Sequence, residues 1–163
     1  MKTLLLMRHG KSDWKDTKDD DKMRPLTKKG GKDVRKMGEM LIEKGYLPQV
    51  VLTSTALRAR QTAEFFLSQC CQEVTISARD VLYMAEPTAI VDAIKTVGDE
   101  VEKVMIIGHN PGLEGLFQQL SGKVESLSTA NVAWLDLPID HWADLTVDSQ
   151  PEKWHKWKPK DAD

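Results

Sequence analysis

Two histidines and two arginines in this 163-residue chain stand where apolar runs stop. Arg8 and His9 follow Leu4-Leu5-Leu6-Met7, Arg58 follows Val50-Val51-Leu52 and the hydroxyl cluster Thr53-Ser54-Thr55, and His109 follows Val104-Met105-Ile106-Ile107. Guanidinium groups grip phosphoryl oxygens through paired hydrogen bonds, and an imidazole N–H can donate to the same oxygens. Helix starts near Thr55 and Asn110 would add oriented backbone N–H groups and positive dipole ends. Brought together, these groups make a site for a dianionic phosphoryl group. Each piece alone also has an ordinary reading. An Arg-His pair after a strand can be structural, a His before a helix can cap or pack, and Arg58 and Arg60 can be solvated residues on a helical face. The argument for a site is their common position, because ligands of open parallel sheets bind beyond the carboxyl ends of the strands.

The elements that must position these residues can be read from periodicity. Residues 2–7, 50–52 and 104–107 are short apolar runs that predict buried strands, with a further short strand at 74–76. Residues 130–137 predict another strand, and 142–147 are a weaker candidate. Val34, Met37, Leu41 and Ile42 lie at helical spacing within residues 27–44, and Gly45 supplies the stop. Ala59, Ala63 and Phe66 share one face of a helix beginning near Ala56. A third helix opens at Pro87 or Thr88, carries Ile90, Ala93, Ile94 and Val97 inward, and ends at Gly98. Asn110 as N-cap and Pro111 at the first helical position start a fourth, bearing Leu113, Leu116, Phe117 and Leu120.

Strands alternating with helices imply parallel pairing through right-handed crossovers, with helices on both sheet faces. The expected fold class is therefore α/β, a three-layer α/β/α sandwich with a mostly parallel sheet. One domain would occupy residues 1–150, followed by a polar C-terminal tail at 151–163. That tail interleaves Trp154, His155, Lys156, Trp157 and Lys158, and is read as anchored by its tryptophans rather than as a nucleic-acid surface.

The net charge of −2 predicts no general affinity for nucleic acid or for an anionic membrane, so anion binding must come from a local cluster. No apolar run approaches the length needed to span a bilayer. Adjacent Cys70 and Cys71 fit neither a disulfide framework nor a C-x-x-C site, and a reducing cytoplasm is the expected setting. Residues 12–25 read as a polar surface loop. Its acidic run at 16–21 lacks the Gly and the terminal Glu of a calcium loop, so a solvated loop is expected there and no metal site. A monomer is assumed.

The motifs add a resemblance. Leu6-Met7-Arg8-His9-Gly10 resembles the R-H-G signature of the histidine phosphatase superfamily, the branch that includes cofactor-dependent phosphoglycerate mutases. Leu57-Arg58-Ala59-Arg60-Gln61-Thr62-Ala63 is similar to its second motif, an arginine before A-x-x-T, and Gly108-His109-Asn110 to its third. Arg24-Pro25-Leu26-Thr27 and Gly108-His109-Asn110-Pro111-Gly112-Leu113-Glu114 resemble segments of a subgroup, the phosphohistidine phosphatases of the SixA type. The resemblance runs from about residue 2 to Leu137. It implies a phosphoglycerate-mutase-like fold without a large lid insertion. His9 would be the nucleophile, forming a covalent phosphohistidine enzyme that water then hydrolyses. Arg8 and Arg58 would hold the phosphoryl oxygens, His109 would donate a hydrogen bond to them, and Gly10 counts among the substrate-binding groups. Arg60 would be peripheral. No metal and no organic cofactor is implied, since the arginines supply the positive charge.

The leaving group separates the possible substrates. An alkyl ester expels a basic alkoxide and needs a general acid, whereas phosphohistidine expels an imidazole whose conjugate acid has a pKa of about 6.5. Ester-cleaving relatives carry that acid after the third strand, often within a helical insertion for which the stretch between Ile76 and Ile90 is too short. The usual Leu-x-Glu phasing would put the acid at Met84, while Glu86 lies two residues on, beside Pro87. Lys15 stands where some ester-cleaving relatives carry an asparagine, and Trp14 could line the mouth of the site or cover the core. The expected substrate is phosphohistidine on a protein partner. The alternatives are a small-molecule phosphate monoester phosphatase with Glu86 as general acid, and a non-catalytic phosphate-recognition module. A mutase fits less well, because without a lid water is poorly excluded.

Overall fold

In the computed structural model, which describes residues 1–14 and 20–163, six strands form one sheet in the order β3-β2-β4-β1-β5-β6. The central pair explains itself. β1 (Lys2–Arg8) and β4 (Lys103–Gly108) are parallel neighbours with helices over both faces, so their inward and outward side chains alike are apolar. Leu4, Leu6, Val104 and Ile106 point into one core, and Leu5, Met7, Met105 and Ile107 into the other. β2 (Val50–Ser54) lies parallel to β4, and β3 (Thr75–Arg79) parallel to β2 at the edge.

α1 (Lys28–Glu43) and α2 (Leu57–Phe66) cover the Leu5–Met7 face. α3 (Pro87–Ile94) and α4 (Gly112–Ser121) cover the other through Ile90, Ile94, Leu116 and Phe117. Thr27 caps α1 by accepting from the Gly30 N–H at 2.9 Å, and Gly45, at φ +80°, follows its end in the left-handed conformation that glycine adopts without strain. The three-layer α/β/α architecture is as expected. The connection between β3 and α3 is residues 80–86, with no lid insertion.

The second half of the sheet departs from the reading. β5 (Val132–Leu137) runs antiparallel to β1, and residues 142–147 do not form a strand. Trp142–Asp144 is a 3₁₀ turn: Trp142 and Leu145, three residues apart, are both fully buried, which a turn achieves and a one-sided strand does not. The last strand, β6 (Lys153–Trp157), pairs antiparallel with β5 and lies within the span read as a polar tail. Trp154 and Trp157 are an odd number of residues apart and so serve opposite faces. Trp154 meets Phe117 edge-on at 5.1 Å, and Trp157 stacks on Trp134 at 5.9 Å. Charged residues interleaved on an edge strand disguised it.

α1 crosses the end of α2 at Gly38, where an added Cβ would sit 2.2 Å from the Phe66 carbonyl oxygen. Gly→Ala inside a helix ordinarily stabilises. Here Gly38→Ala is expected to destabilise by about 1–3 kcal/mol through overpacking, read as a lower urea midpoint.

Candidate active site

Strand register brings the two histidines together. Arg8 is level with Gly108 across β1 and β4, so His9 and His109 each lie one residue beyond the paired ends, with ring centroids 5.2 Å apart. Thr53 is level with Ile107, which places Ser54 beside them, its Oγ 2.8 Å from His109 Nε2. Arg58 rises from the first turn of α2 into the same crevice and is 3% exposed.

Arg58 organises the hydrogen bonding. Its Nε–H donates to His9 Nε2 at 3.4 Å and its Nη2–H to His109 Nδ1 at 3.3 Å. A guanidinium only donates, so both ring nitrogens must present lone pairs and both imidazoles are neutral. His9 therefore carries its proton on Nδ1, which donates to the Gly10 carbonyl at 2.7 Å, and its Nε2 lone pair is turned to the Arg58 Nε–H. His109 carries its proton on Nε2 and donates it to Ser54 Oγ, which also accepts the Ala56 N–H at 3.1 Å. Electrostatics agree. Burial, reinforced by His109, Arg58 and Arg8, pushes the His9 pKa down to about 3, against the opposing bond to Gly10. Burial and then Arg58 push His109 down to about 4.

Arg8 is half-buried, lines the cavity and donates through Nη1 to the Leu127 carbonyl at 3.3 Å. The cavity encloses about 470 Å³. Besides Arg8, Arg58 and the two histidines it is lined by Lys11, Arg24, Asp21, Tyr83 and Met84, with Trp14 at 73% exposure on its rim. Among the described lining residues, four cationic side chains stand against one carboxylate, which makes that lining strongly positive. Among the described residues no group of three or more His, Cys, Asp or Glu is placed to hold a metal ion.

Several expectations change. Gly10 is not a free phosphate-binding amide: its N–H donates to Thr62 Oγ1 at 3.0 Å and its carbonyl is taken by His9, so it orients the nucleophile candidate. An added Cβ there would lie 2.8 Å from Val34 Cγ2. Thr62 in turn donates to the Arg58 carbonyl at 2.6 Å, joining the first and second motifs. Glu86 is exposed at the start of α3 and is absent from the cavity lining, whereas Met84 lines it. Arg60 is exposed. Asn110 does not cap α4. Pro111 holds that position, and the Asn110 side chain donates to Glu114 at 2.5 Å and to the Leu127 carbonyl at 2.8 Å.

Lys15 and most of the acidic run, residues 16–19, lie outside the described residues. Its last member, Asp21, is half-exposed but engaged: it pairs with Arg58 at 2.9 Å and with Arg24 at 3.4 Å, and accepts a hydrogen bond from Tyr83. Arg24 is 5% exposed, donates to Ser12 Oγ, and lies beneath the Trp14 ring at 3.3 Å. Asp21, Arg24 and Tyr83 are the residues the sequence reading missed. Tyr83 follows β3, so the strand-end rule extended to that strand would have found it.

The fold and site define a class. The signature of the histidine phosphatase superfamily (branch 1) matches residues 4–79, and the chain belongs to that superfamily. Within it the chain is of the SixA type. It is 27% identical to a protein from Agrobacterium tumefaciens assigned as phosphohistidine phosphatase SixA, with a TM-score of 0.75 over 83% of this chain and 92% of that one. The fold is also that of a protein histidine phosphatase SixA complexed with tungstate, at a TM-score of 0.82, 22% identity and 99% coverage of both chains. An uncharacterized chloroplastic protein of Arabidopsis thaliana is 32% identical over 162 residues, covering 93% of this chain and 73% of its own length. The class supports phosphatase activity. No helix among the described residues is long and apolar enough to cross a membrane.

The depressed histidines make stability depend on pH with a definite sign. Below the ordinary imidazole pKa of about 6.5 the unfolded chain takes up protons that the folded chain refuses, so stability rises with pH across this window and falls on acidification. Between about pH 7 and about pH 5 the urea midpoint should fall, and fall less in a His9→Gln/His109→Gln double variant. NMR should show both rings still neutral at the lower pH.

Proposed function

We propose that this protein hydrolyses phosphohistidine on a protein partner, through a covalent phosphohistidine formed on His9. The observation that carries the reading is the neutral His9 Nε2, its lone pair turned toward the Arg58 guanidinium at the bottom of a cavity lined by cationic side chains. An imidazole held neutral attacks phosphorus without first losing a proton, and Arg8 and Arg58 offset the charge that spreads over the phosphoryl oxygens. His109 adds a further contact. With phosphate in place Ser54 Oγ can donate to Nε2, which frees Nδ1 to carry a proton toward a phosphoryl oxygen. Water then attacks the phosphohistidine and releases inorganic phosphate, with the positive charge supplied by the protein and no metal or organic cofactor taking part.

The leaving-group side supports a phosphoramidate. The one carboxylate among the described lining residues is Asp21. Burial pushes its pKa up, but the hydrogen bonds from Tyr83 and Arg58 and the charges of Arg58 and Arg24 outweigh this and hold it ionised, unable to act as an acid. Met84 stands where ester-cleaving relatives carry their acid. A departing imidazole needs little protonation, so this wall suffices for phosphohistidine and not for an alkyl ester. The exposed Trp14 and Met84 at the mouth suit a protein surface better than a small polar ester. The SixA-type neighbours point the same way. Free Cys70 and Cys71 accord with a reducing, cytoplasmic setting.

The test compares a phosphohistidine-bearing protein with a panel of phosphate monoesters, in EDTA, for wild type, His9→Ala and Glu86→Gln. Phosphohistidine should be cleaved fastest. Glu86→Gln should leave that rate unchanged, and His9→Ala should lose at least about a thousandfold while remaining folded. Preferential ester cleavage that collapses in Glu86→Gln would instead make Glu86 the general acid. Turnover retained by His9→Ala would remove the covalent mechanism.

A further inference from the structure

A guanidinium has two usable edges that share Nη2, and in Arg58 they meet different partners. The Nε and Nη2 edge addresses His9 Nε2 and His109 Nδ1, the two atoms between which a phosphoryl group would sit. The other edge is gripped by Asp21. Nη1 donates to the Asp21 backbone carbonyl at 2.7 Å, and Nη2 to the Asp21 carboxylate at 2.9 Å. Asp21 is itself held from two further directions. Tyr83, on the loop after β3, donates its hydroxyl to the same carboxylate oxygen. Arg24 approaches the other carboxylate oxygen at 3.4 Å. Lys22, the next residue, pairs with Asp80 at 3.8 Å and lies over the Tyr83 ring at 4.7 Å. The turn Asp21–Met23 is thus fastened to the β3–α3 connection by its charges and aromatic contacts.

We propose that Asp21 is a positioning residue for phosphoryl transfer: by holding one edge of the Arg58 guanidinium with both its carbonyl and its carboxylate, it aims the other edge at the phosphoryl oxygens. The inference rests on the reading of Arg58 as a phosphoryl ligand. Asp21 touches neither substrate nor nucleophile in this role and acts through Arg58 alone. Without it, the guanidinium is free to rotate about its last side-chain torsions, and the paired geometry that matches a phosphoryl group is lost even though the charge remains.

The sign of the effect separates positioning from plain electrostatics. A carboxylate near an anion site repels the anion, so deleting its charge should tighten phosphate binding and leave or raise the rate. Positioning demands the reverse for the rate.

The experiment uses the full chain with N-phosphoimidazole, which carries the same leaving group without a protein partner, and separates kcat from KM. Asp21→Asn should lower kcat by about tenfold or more with KM unchanged or reduced, since small displacements of a catalytic group have effects of this order. In an Arg58→Lys background the same substitution should change kcat less than about twofold, because the edge that Asp21 aims is gone. Tyr83→Phe, which leaves the Asp21 charge in place and removes one of its anchors, should give a smaller loss in kcat in the same direction. It also keeps the question open to test if Asp21→Asn fails to fold. A kcat for folded Asp21→Asn within twofold of wild type, or equal losses in both backgrounds, would overturn the positioning role while leaving the site intact. Wild-type turnover by Arg58→Ala would overturn the reading of the site itself, and the inference with it.

Discussion

A full positive charge buried at 3% exposure, as in Arg58, is tolerated only where its N–H groups find partners. Much of the site follows from that requirement. Asp21 must come in from the surface to meet one edge, and His9 and His109 must stay neutral to accept from the other. The same burial that makes the charge expensive depresses both imidazoles, so the cationic arginine and the uncharged histidines are two results of one desolvated environment. An anion entering the cavity meets hydrogen-bond donors already fixed in place, with little reorganisation required.

The sheet supplies the frame. Four parallel strands ending on one side deliver four loops to one crevice, and the register of β1 against β4 sets the histidines side by side. Helices packed on both faces keep those strand ends from shifting, and the close approach at Gly10 seats the nucleophile loop against α1 and Val34. The antiparallel strands β5 and β6 complete both cores, through Leu135 on one side and Trp157 on the other, and Ala130, just before β5, donates its N–H to the His9 carbonyl at 3.1 Å.

Much of this was legible in the sequence, for identifiable reasons. Residues such as Leu4 to Met7 and Val104 to Ile107 are apolar without alternation, which only a doubly covered strand requires, and chemistry-bearing residues follow them directly. That gave the parallel core, the layers, and the meeting of Arg8, His9, Arg58 and His109. What escaped were features whose local pattern is ambiguous. β6 reads as a basic tail because its burial comes from two tryptophans on opposite faces. Asp21 reads as one acid among several, and only the fold distinguishes the one that reaches a buried guanidinium. Gly10 reads as a phosphate-loop glycine, although its amide is taken by a hydroxyl fifty-two residues away.

That hydroxyl has a mechanical consequence. Thr62 Oγ accepts from the amide following His9 and donates to the carbonyl of Arg58 itself, so a single oxygen atom is bonded to both halves of the reacting apparatus. Any tilt or breathing of α2 drags the nucleophile loop along with the arginine. Displacements of the surrounding protein are thereby converted into common motion of the pair, and the separation between imidazole and guanidinium is insulated from the thermal noise of the helix that carries one of them.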